Sequence, residues 1–347
     1  MSLLDIDGLT VVYPSKKYMI EAVKEVSLSL RPGEILGIVG ESGAGKSTIA
    51  TAVTRLIEYP GFISEGSINL SGTDILHLPT AEIEMLRGRR IGVIFQDPLT
   101  ALNPVLTIGL QLMETIRVHH GLQGNALRAR AVDLLEQVGI TDAKNRLKQY
   151  PHQFSGGMRQ RVVIAIALAG EPELLLADEP TTALDVSIQS EILHLIQNLC
   201  KSRKLGVILI THDMAVINEV ADRVAVMLNG RVIEVADTRE IIDKPKHPYT
   251  KSLIAAVPRT DVKLERFELM ENFAENKGTF SNADMQKKLS WFDGLGGNKS
   301  LDSKIVSVKN ISVRFLQNKS LIKKFNRYFY AVDDVSFEIN EGETFGL

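Results

Sequence analysis

The sequence predicts an α/β fold with a mixed β-sheet, in which parallel strands alternate with helices. A glycine-rich stretch at 40–48 lies between an apolar run at 34–39, which predicts a buried strand, and a predicted helix at 48–56. Several later apolar runs end abruptly in polar residues, as the strands of a parallel sheet do at their carboxyl ends. Residues 99–170 instead show helical periodicity, which predicts a mostly helical insertion.

The glycine-rich stretch matches G-x-x-x-x-G-K-[ST], the pattern of a phosphate-binding loop between a strand and a helix. Its glycines let the backbone approach an anion, and its N–H groups point inward at the positive end of the helix dipole. Lys46 can reach the β- and γ-phosphates, and Ser47 offers a hydroxyl to Mg²⁺. The residues expected to bind nucleotide are Gly40, Glu41, Ser42, Gly43, Ala44, Gly45, Lys46, Ser47 and Thr48.

Two strands are predicted before this loop, at 3–13 and 22–30, and a short one after it at 66–70. A nucleotide base needs a flat apolar surface, which an aromatic side chain near the end of the first strand can provide. Tyr13 is the first candidate and Tyr18 the second. The alternative is that Tyr13 only covers the end of the sheet.

The apolar run at 174–177 ends in two carboxylates, Asp178 and Glu179. An acid at the carboxyl end of a strand beside a phosphate loop is placed to hold Mg²⁺, so we assign that role to Asp178. Glu179 points elsewhere and can polarise water for in-line attack on the γ-phosphorus. The alternative, two solvated acids in a turn, fits poorly with the apolar run before them.

Two other strand ends carry polar side chains. Gln96 follows a predicted strand at 91–95, where a neutral amide can sense both Mg²⁺ and the attacking water. His212 follows a predicted strand at 207–211, where an imidazole can touch the γ-phosphate. The predicted catalytic side chains are therefore those of Lys46, Gln96, Glu179 and His212, and the predicted metal site joins Ser47, Gln96 and Asp178.

The helical insertion contains a second candidate anion site. Ser155, Gly156 and Gly157 precede an apolar helix predicted at 162–169. A serine with two glycines at a helix start leaves several N–H groups free for an anion. The alternative is an ordinary capped helix.

The composition argues against a general nucleic-acid-binding protein, a membrane-spanning protein and a secreted protein. The chain has 347 residues, 44% of them hydrophobic and 24% charged, with a net charge of −2, so no general nucleic-acid surface is expected. No apolar run approaches the ~18 residues that span a bilayer, and the first residues do not resemble a signal peptide. Cys200 has no partner for an internal disulfide, which suits a reducing cytosol.

Taken together, these motifs resemble those of an ATP-binding cassette (ABC) ATPase, in order and spacing, across residues 3–258. The resemblance implies a P-loop NTPase with a mixed sheet, an antiparallel β subdomain and a helical subdomain at about 99–170. Two signature residues depart from the common form, with Phe154 for Leu and Met158 for Gln. The matched segments are 40–48 (phosphate loop), Gln96 (Q-loop), 154–160 (signature), 174–179 (second nucleotide motif), 182–185 (D-loop) and His212 (switch histidine).

The same resemblance implies the ligands and partners. They are ATP with Mg²⁺, a second cassette supplied by another copy or a paralogue, membrane permease subunits docked near Gln96 and the helical insertion, and indirectly a solute-binding protein. Ser155, Gly156, Gly157 and Asp185 would complete a nucleotide site across the dimer. The implied location is peripheral, on the cytoplasmic face of the inner membrane.

Two further segments narrow the resemblance. Residues 95–104 and 247–253 are similar to those of peptide and nickel importer ATPases, which implies uptake of di- or oligopeptides or a related small solute. Such extensions often hold an iron–sulfur cluster, but no cysteine follows Cys200, so we expect none. The alternatives are a cassette ATPase that acts on nucleic acid or ribosomes, and an uncoupled remnant that binds nucleotide without transport.

The start of the chain repeats near its end. Residues 305–315 parallel 3–13, 331–337 parallel 22–28, and 342–347 parallel 33–38. We therefore predict a cassette at 1–245, an extension and linker at 246–303, and the opening strands of a second, truncated cassette at 304–347, which resembles tandem-fused members. Without their sheet partners, these strands are expected to pack poorly and to expose their edges.

Overall fold

The computed structural model describes residues 2–15, 18–182, 184–255, 304–318, 327–343 and 345–346. The chain divides into two compact units, Met1–Phe273 and Ala274–Leu347. The strands are β1 (Leu4–Pro14), β2 (Met19–Leu30), β3 (Ile35–Val39), β4 (Phe62–Leu70), β5 (Thr73–Asp74), β6 (Ile91–Ile94), β7 (Leu174–Asp178), β8 (Gly206–Thr211), β9 (Arg223–Leu228), β10 (Arg231–Asp237), β11 (Lys304–Asn318) and β12 (Arg327–Asn340). The helices are α1 (Lys46–Val53), α2 (Thr80–Arg89), α3 (Pro98–Ala101), α4 (Ile108–His120), α5 (Gly124–Gln137), α6 (Ala143–Arg146), α7 (Gly156–Leu168), α8 (Val186–Arg203), α9 (Met214–Val220), α10 (Thr238–Asp243) and α11 (Pro248–Ala255).

A six-stranded mixed sheet forms the centre of the first unit, in the order β10-β9-β3-β8-β7-β6. All neighbours in it are parallel except β10, which turns back antiparallel to β9. The parallel strands are apolar almost throughout, as expected for strands covered on both faces. Their shared direction brings the polar residues after β3, β6, β7 and β8 to one edge of the sheet.

A second sheet, in the order β2-β1-β4-β5, is antiparallel. Its apolar face packs with α1 and one face of the central sheet in a single core cluster. Helices α3 to α7 lie between β6 and β7, where the helical insertion is predicted, and the buried apolar residues of α4 to α7 pack with the other face of the central sheet. The predicted fold class, with a mixed sheet, an antiparallel sheet and a helical part, is therefore confirmed.

Some element ends differ from the predictions because caps fix them. Helix α8 begins at Val186, after the segment 182–185, because the Asp185 carboxylate accepts a hydrogen bond from the Ile188 N–H at 3.0 Å. The helix predicted at 162–169 already begins at Gly156, because the Ser155 hydroxyl caps it. The helix predicted at 48–56 spans Lys46–Val53, so it begins inside the glycine-rich stretch, directly after Gly45.

The first compact unit also runs past residue 245. Helix α11 buries Tyr249, Thr250 and Leu253, and two of these, Tyr249 and Leu253, belong to the same core cluster as α4, α7 and α8. None of the described helices has the length and apolar character that crossing a membrane requires.

The second unit contains a two-stranded antiparallel ribbon, β11–β12, whose register matches that of β1–β2. Leu4 pairs with Leu30 in the first ribbon, and Val306 pairs with Ile339 in the second, at the offsets of the sequence repeat. The other corresponding pairs are Ile6↔Leu28 with Val308↔Phe337, Leu9↔Val26 with Ile311↔Val335, and Val11↔Val23 with Val313↔Val332.

The two ribbons also share an irregularity. Gly8 and Asn310 both have positive φ, and each donates its N–H to the serine hydroxyl at the corresponding position of the paired strand, Ser27 at 3.0 Å and Ser336 at 2.8 Å. The equivalence therefore extends to backbone detail. It stops at residues 345 and 346, which parallel positions in β3 but do not lie in a strand.

Candidate functional site

The phosphate-loop segment connects β3 to α1, and all three of its glycines have positive φ values. Gly43 has φ of +83°, and Gly45, at the N-cap of α1, has φ of +96°. A β-carbon on Gly45 would lie 2.2 Å from the carbonyl oxygen of Ala22 on β2. This close approach and this φ both require glycine, so the local sequence fixes the curvature of the loop.

Lys46 is buried at the mouth of this loop. Its Nζ donates to the carbonyl oxygens of Gly40 and Glu41, each at 2.8 Å. Burial lowers the pKa of Lys46, although the nearby carboxylates of Glu179 and Asp178 oppose that shift. The ammonium is therefore held by the loop's own backbone and lies in the field of the two strand-end acids.

Ser47 and Asp178 meet across the sheet edge, where the Ser47 hydroxyl donates to Asp178 Oδ1 at 3.1 Å. Burial raises the pKa of the Asp178 carboxyl, and the Ser47 hydrogen bond partly offsets this. Within the described residues there is no cluster of three or more His, Cys, Asp or Glu side chains that could hold a metal. One hydroxyl and one carboxylate are still enough for Mg²⁺, because this ion usually has few protein ligands and takes its other ligands from water and substrate phosphates.

Glu179 lies at the centre of a second group of side chains in the site. Its Oε1 lies 2.9 Å from His212 Nδ1, and its Oε2 accepts from Gln96 Nε2 and Thr182 Oγ1, each at 3.0 Å. Burial raises the pKa of Glu179, but the hydrogen bonds from His212 and Thr182 outweigh it, so the net pKa lies below its usual value. The carboxylate therefore stays ionised at neutral pH and is oriented from three sides.

Glu179 also has a strained backbone, with φ of +46°. A non-glycine residue there costs on the order of 1 kcal/mol and persists only when its surroundings hold it. Two hydrogen bonds do so here, from Glu179 N to Ile210 O at 2.9 Å and from Thr182 N to Glu179 O at 3.2 Å. The turn directs the Glu179 side chain toward Gln96 and His212.

The helix start at 155–157 lies apart from the phosphate loop. The Ser155 hydroxyl accepts from Met158 N at 3.3 Å, and a β-carbon on Gly157 would lie 2.5 Å from Ile188 Cγ2. Gly157 therefore allows α7 to pack closely on α8. Within the described residues no hydrogen bond joins 155–157 to the loop at 40–48.

Asp185 and Tyr13, which are also predicted to bind nucleotide, make contacts within this chain. The Asp185 carboxylate accepts from Ile188 N and from the Ser187 hydroxyl at 2.7 Å, and these bonds lower the pKa of Asp185. The Tyr13 ring lies against Gly61, where an added β-carbon would come within 2.4 Å of it. The nucleotide-binding roles of Asp185 and Tyr13 remain predictions.

Sequence reasoning missed two residues of the site. Thr182 is recognisable from sequence only as part of a motif, although a threonine three residues after a carboxylate often bonds back to it across a turn. Tyr249 is the other, and its hydroxyl accepts from Glu41 N in the phosphate loop at 3.0 Å. No local signal could identify that contact, because the two residues are 208 positions apart.

Comparisons with known proteins agree with this geometry. The profile of the ABC transporter family matches residues 23–182, and the profile of the oligopeptide/dipeptide transporter C-terminal region matches residues 233–282. The dipeptide transport ATP-binding protein DppD of Escherichia coli is 44% identical, over 80% of this chain and 85% of its own. The oligopeptide transport ATP-binding protein OppD of Bacillus subtilis is 47% identical, over 74% of this chain and 72% of its own.

Solved structures are similar as well. The ATP-binding cassette MJ0796, in a dimeric post-hydrolysis state bound to ADP and Pi, aligns with a TM-score of 0.61 and 29% identity over 68% of this chain and 99% of its own. CbiO1 from Clostridium perfringens, part of the transporter complex CbiONQ, aligns with a TM-score of 0.61 and 29% identity over 70% of this chain and 91% of its own.

Proposed function

We propose that this chain, which belongs to the ABC transporter family, is the ATP-hydrolysing subunit of an importer of di- or oligopeptides. The observation that carries this proposal is the hydrogen-bonded Glu179 carboxylate beside a complete phosphate loop. The peptide class follows from relatives named as dipeptide and oligopeptide transport ATP-binding proteins. A role on nucleic acid or ribosomes is not favoured, since those relatives are transport proteins.

The catalytic groups divide the work of phosphoryl transfer to water. Lys46 neutralises charge on the phosphates, and the loop N–H groups bind their oxygens. Ser47, Asp178 and the amide oxygen of Gln96 would hold Mg²⁺, which would supply positive charge to the phosphates. Glu179 accepts hydrogen bonds from Gln96, Thr182 and His212, so its position is fixed and it can orient the attacking water and take its proton.

We also propose that the site is completed by a second cassette, from another copy or a paralogue. The N–H groups at the start of α7 form an anion-binding helix end, but Ser155–Gly157 have no hydrogen bond to this chain's own loop within the described residues. The similar cassette MJ0796 is dimeric in its post-hydrolysis state. In such a dimer, Ser155, Gly156, Gly157 and Asp185 would face the partner's nucleotide.

A membrane subunit would dock on the helical insertion. A groove between α2 and α4, called here the α2–α4 groove, is lined by Ala81, Glu84, Met85, Arg89, Val118 and His119. Val118 is 69% exposed and Met85 is 62% exposed, and Phe95, next to Gln96, is also exposed. A groove with exposed apolar side chains suits a helix of a permease, which would place the chain peripherally on the cytoplasmic face of the inner membrane.

Placing a charge in this groove is expected to uncouple transport. Val118→Glu should lower ATP-driven peptide uptake at least about 10-fold, because a carboxylate in an apolar interface costs more than about 1.4 kcal/mol to desolvate. ATP binding by the isolated chain should be unchanged. Tyr59→Glu, at a side chain that is 97% exposed and outside the groove, is the control. Uptake equal in both variants would remove the groove from the interface.

The ribbon β11–β12 is proposed to be the opening of a second cassette. Its equivalent positions are exposed where those of β1–β2 are buried: Ile311 is 45% exposed and Leu9 is 0% exposed. Backbone amides in β11–β12 should therefore exchange hydrogen faster than their β1–β2 counterparts by about 10-fold or more, because they lack a buried apolar face. Equal protection of the two ribbons, measured in one sample, would contradict this.

The peptide proposal is tested by uptake. Cells that lack the chain should lose ATP-dependent uptake of labelled di- and tripeptides and regain it when the chain is supplied. Uptake of peptides that does not depend on the chain would refute the proposal, as would rescue of an unrelated solute only.

A further inference from the structure

The start of α11 is clamped to β10 by one carboxylate. Glu234 Oε1 accepts from Lys246 N at 2.9 Å, and Glu234 Oε2 accepts from His247 N at 3.0 Å and from the Thr250 hydroxyl at 2.7 Å. Burial raises the pKa of Glu234, but these hydrogen bonds outweigh it and lower the pKa overall. The ionised carboxylate fixes where α11 begins.

Two neighbouring residues then set the direction of Tyr249. His247 Nδ1 accepts from Tyr249 N at 3.1 Å, which caps the helix start. Pro248, the first residue of α11, has no N–H that would need a partner there. Tyr249 itself is 1% exposed and packs in the main core cluster. The Tyr249 side chain is therefore held in one orientation, directed from α11 toward the phosphate loop.

The Tyr249 hydroxyl reaches one particular peptide unit of that loop. It accepts from Glu41 N at 3.0 Å, and the carbonyl of the same peptide unit, that of Gly40, accepts from Lys46 Nζ at 2.8 Å. In a trans peptide the N–H and C=O groups point in opposite directions. Tyr249 and Lys46 therefore hold this unit from its two sides.

We propose that Tyr249 is a positioning residue for the phosphate loop, through which the segment 246–250 sets the orientation of the Gly40–Glu41 peptide and hence the carbonyl that holds Lys46. This deepens the proposed ATPase function and rests on it. Without the hydroxyl, the described residues leave this peptide unit with only its Lys46 hydrogen bond. The unit can then rotate, so the loop must be ordered when nucleotide binds. The free energy needed to order the loop then opposes binding, so the affinity for nucleotide is lower.

Tyr249→Phe tests this, because it removes the hydroxyl and keeps the buried ring. We expect the Kd for Mg-ATP to rise about 3- to 10-fold, the effect of one hydrogen bond. We also expect the Glu41 amide to exchange hydrogen faster, while amides of α8 are unchanged. Tyr59→Phe, at a fully solvated tyrosine, is the matched control and should change neither quantity.

A second variant tests whether Glu234, on β10, acts on the phosphate loop through Tyr249. Glu234→Gln leaves one acceptor oxygen in place of two and should raise the Kd in the same direction. Combined with Tyr249→Phe, it should raise the Kd by less than the product of the two single effects, because both act on one contact. Independent, multiplicative effects would overturn the proposed path.

The outcomes separate this inference from the proposed function. A purely structural role would lower the melting temperature of Tyr249→Phe and leave its Mg-ATP Kd and Glu41 exchange unchanged, which would overturn the inference. Failure of the wild-type chain to hydrolyse ATP would overturn the proposed function instead. The Glu41 exchange comparison needs no activity, so it still decides the role of Tyr249.

Discussion

Glu179→Gln is expected to lower kcat for ATP hydrolysis by about 10²- to 10⁴-fold, the usual contribution of a general base. Glutamine fills nearly the same volume and can still accept from Gln96 or Thr182 through its one oxygen, but it cannot take a proton from water. Binding of Mg-ATP should be retained, because the proposed phosphate contacts are made by the loop at 40–48, including Lys46, and not by Glu179. Steady-state phosphate release and equilibrium nucleotide binding, measured on the same preparation, separate these effects.

The matched control is Glu171→Gln, which removes a carboxylate that bonds to Arg130 on the surface, away from the loop. It should hydrolyse ATP at the wild-type rate. If Glu179→Gln kept kcat within a factor of about two of wild type, Glu179 would not be the base. The cluster of Gln96, Thr182 and His212 around it would then serve only to order the turn.

Lys46→Met is expected to weaken Mg-ATP binding about 10- to 100-fold, because hydrogen bonds to charged groups contribute roughly 1.5–3 kcal/mol. Methionine has a similar length but no charge and no donors. It also leaves the carbonyls of Gly40 and Glu41 without their ammonium partner. Titration with a fluorescent ATP analogue measures the effect directly.

Lys148→Met, on the exposed surface of the helical insertion, controls for the loss of one positive charge. It should bind nucleotide like wild type. An unchanged Kd in Lys46→Met would mean that the buried ammonium belongs to the packing of the loop and not to the phosphate site.

The sequence identifies the separate parts of the site well, because each part is encoded locally. Apolar runs followed by Gln96, by Asp178 and Glu179, and by His212 predict strand ends at one sheet edge, and the structure has them there. The contacts between these side chains were not predictable, because they depend on strand order. β7 lies between β6 and β8, so Glu179 is flanked by Gln96 on one side and His212 on the other.

Contacts between residues that are far apart in the sequence are harder to predict from it. The sequence shows the motif at 247–253 only as a resemblance, and its bonds to Glu234 and Glu41 appear only once α11 packs against the core. The backbone of Glu179 is another example, since a left-handed glutamate has no composition signal. It follows from the turn between β7 and Thr182.

The most direct measurement of the central claim is phosphate release from ATP by the purified full chain in the presence and absence of Mg²⁺. We predict steady release that requires Mg²⁺, falls to near background in Glu179→Gln, and falls at least about 10-fold in Lys46→Met when ATP is kept below the Kd of that variant. Equal release by the wild type and both variants, or release that does not depend on Mg²⁺, would contradict the account.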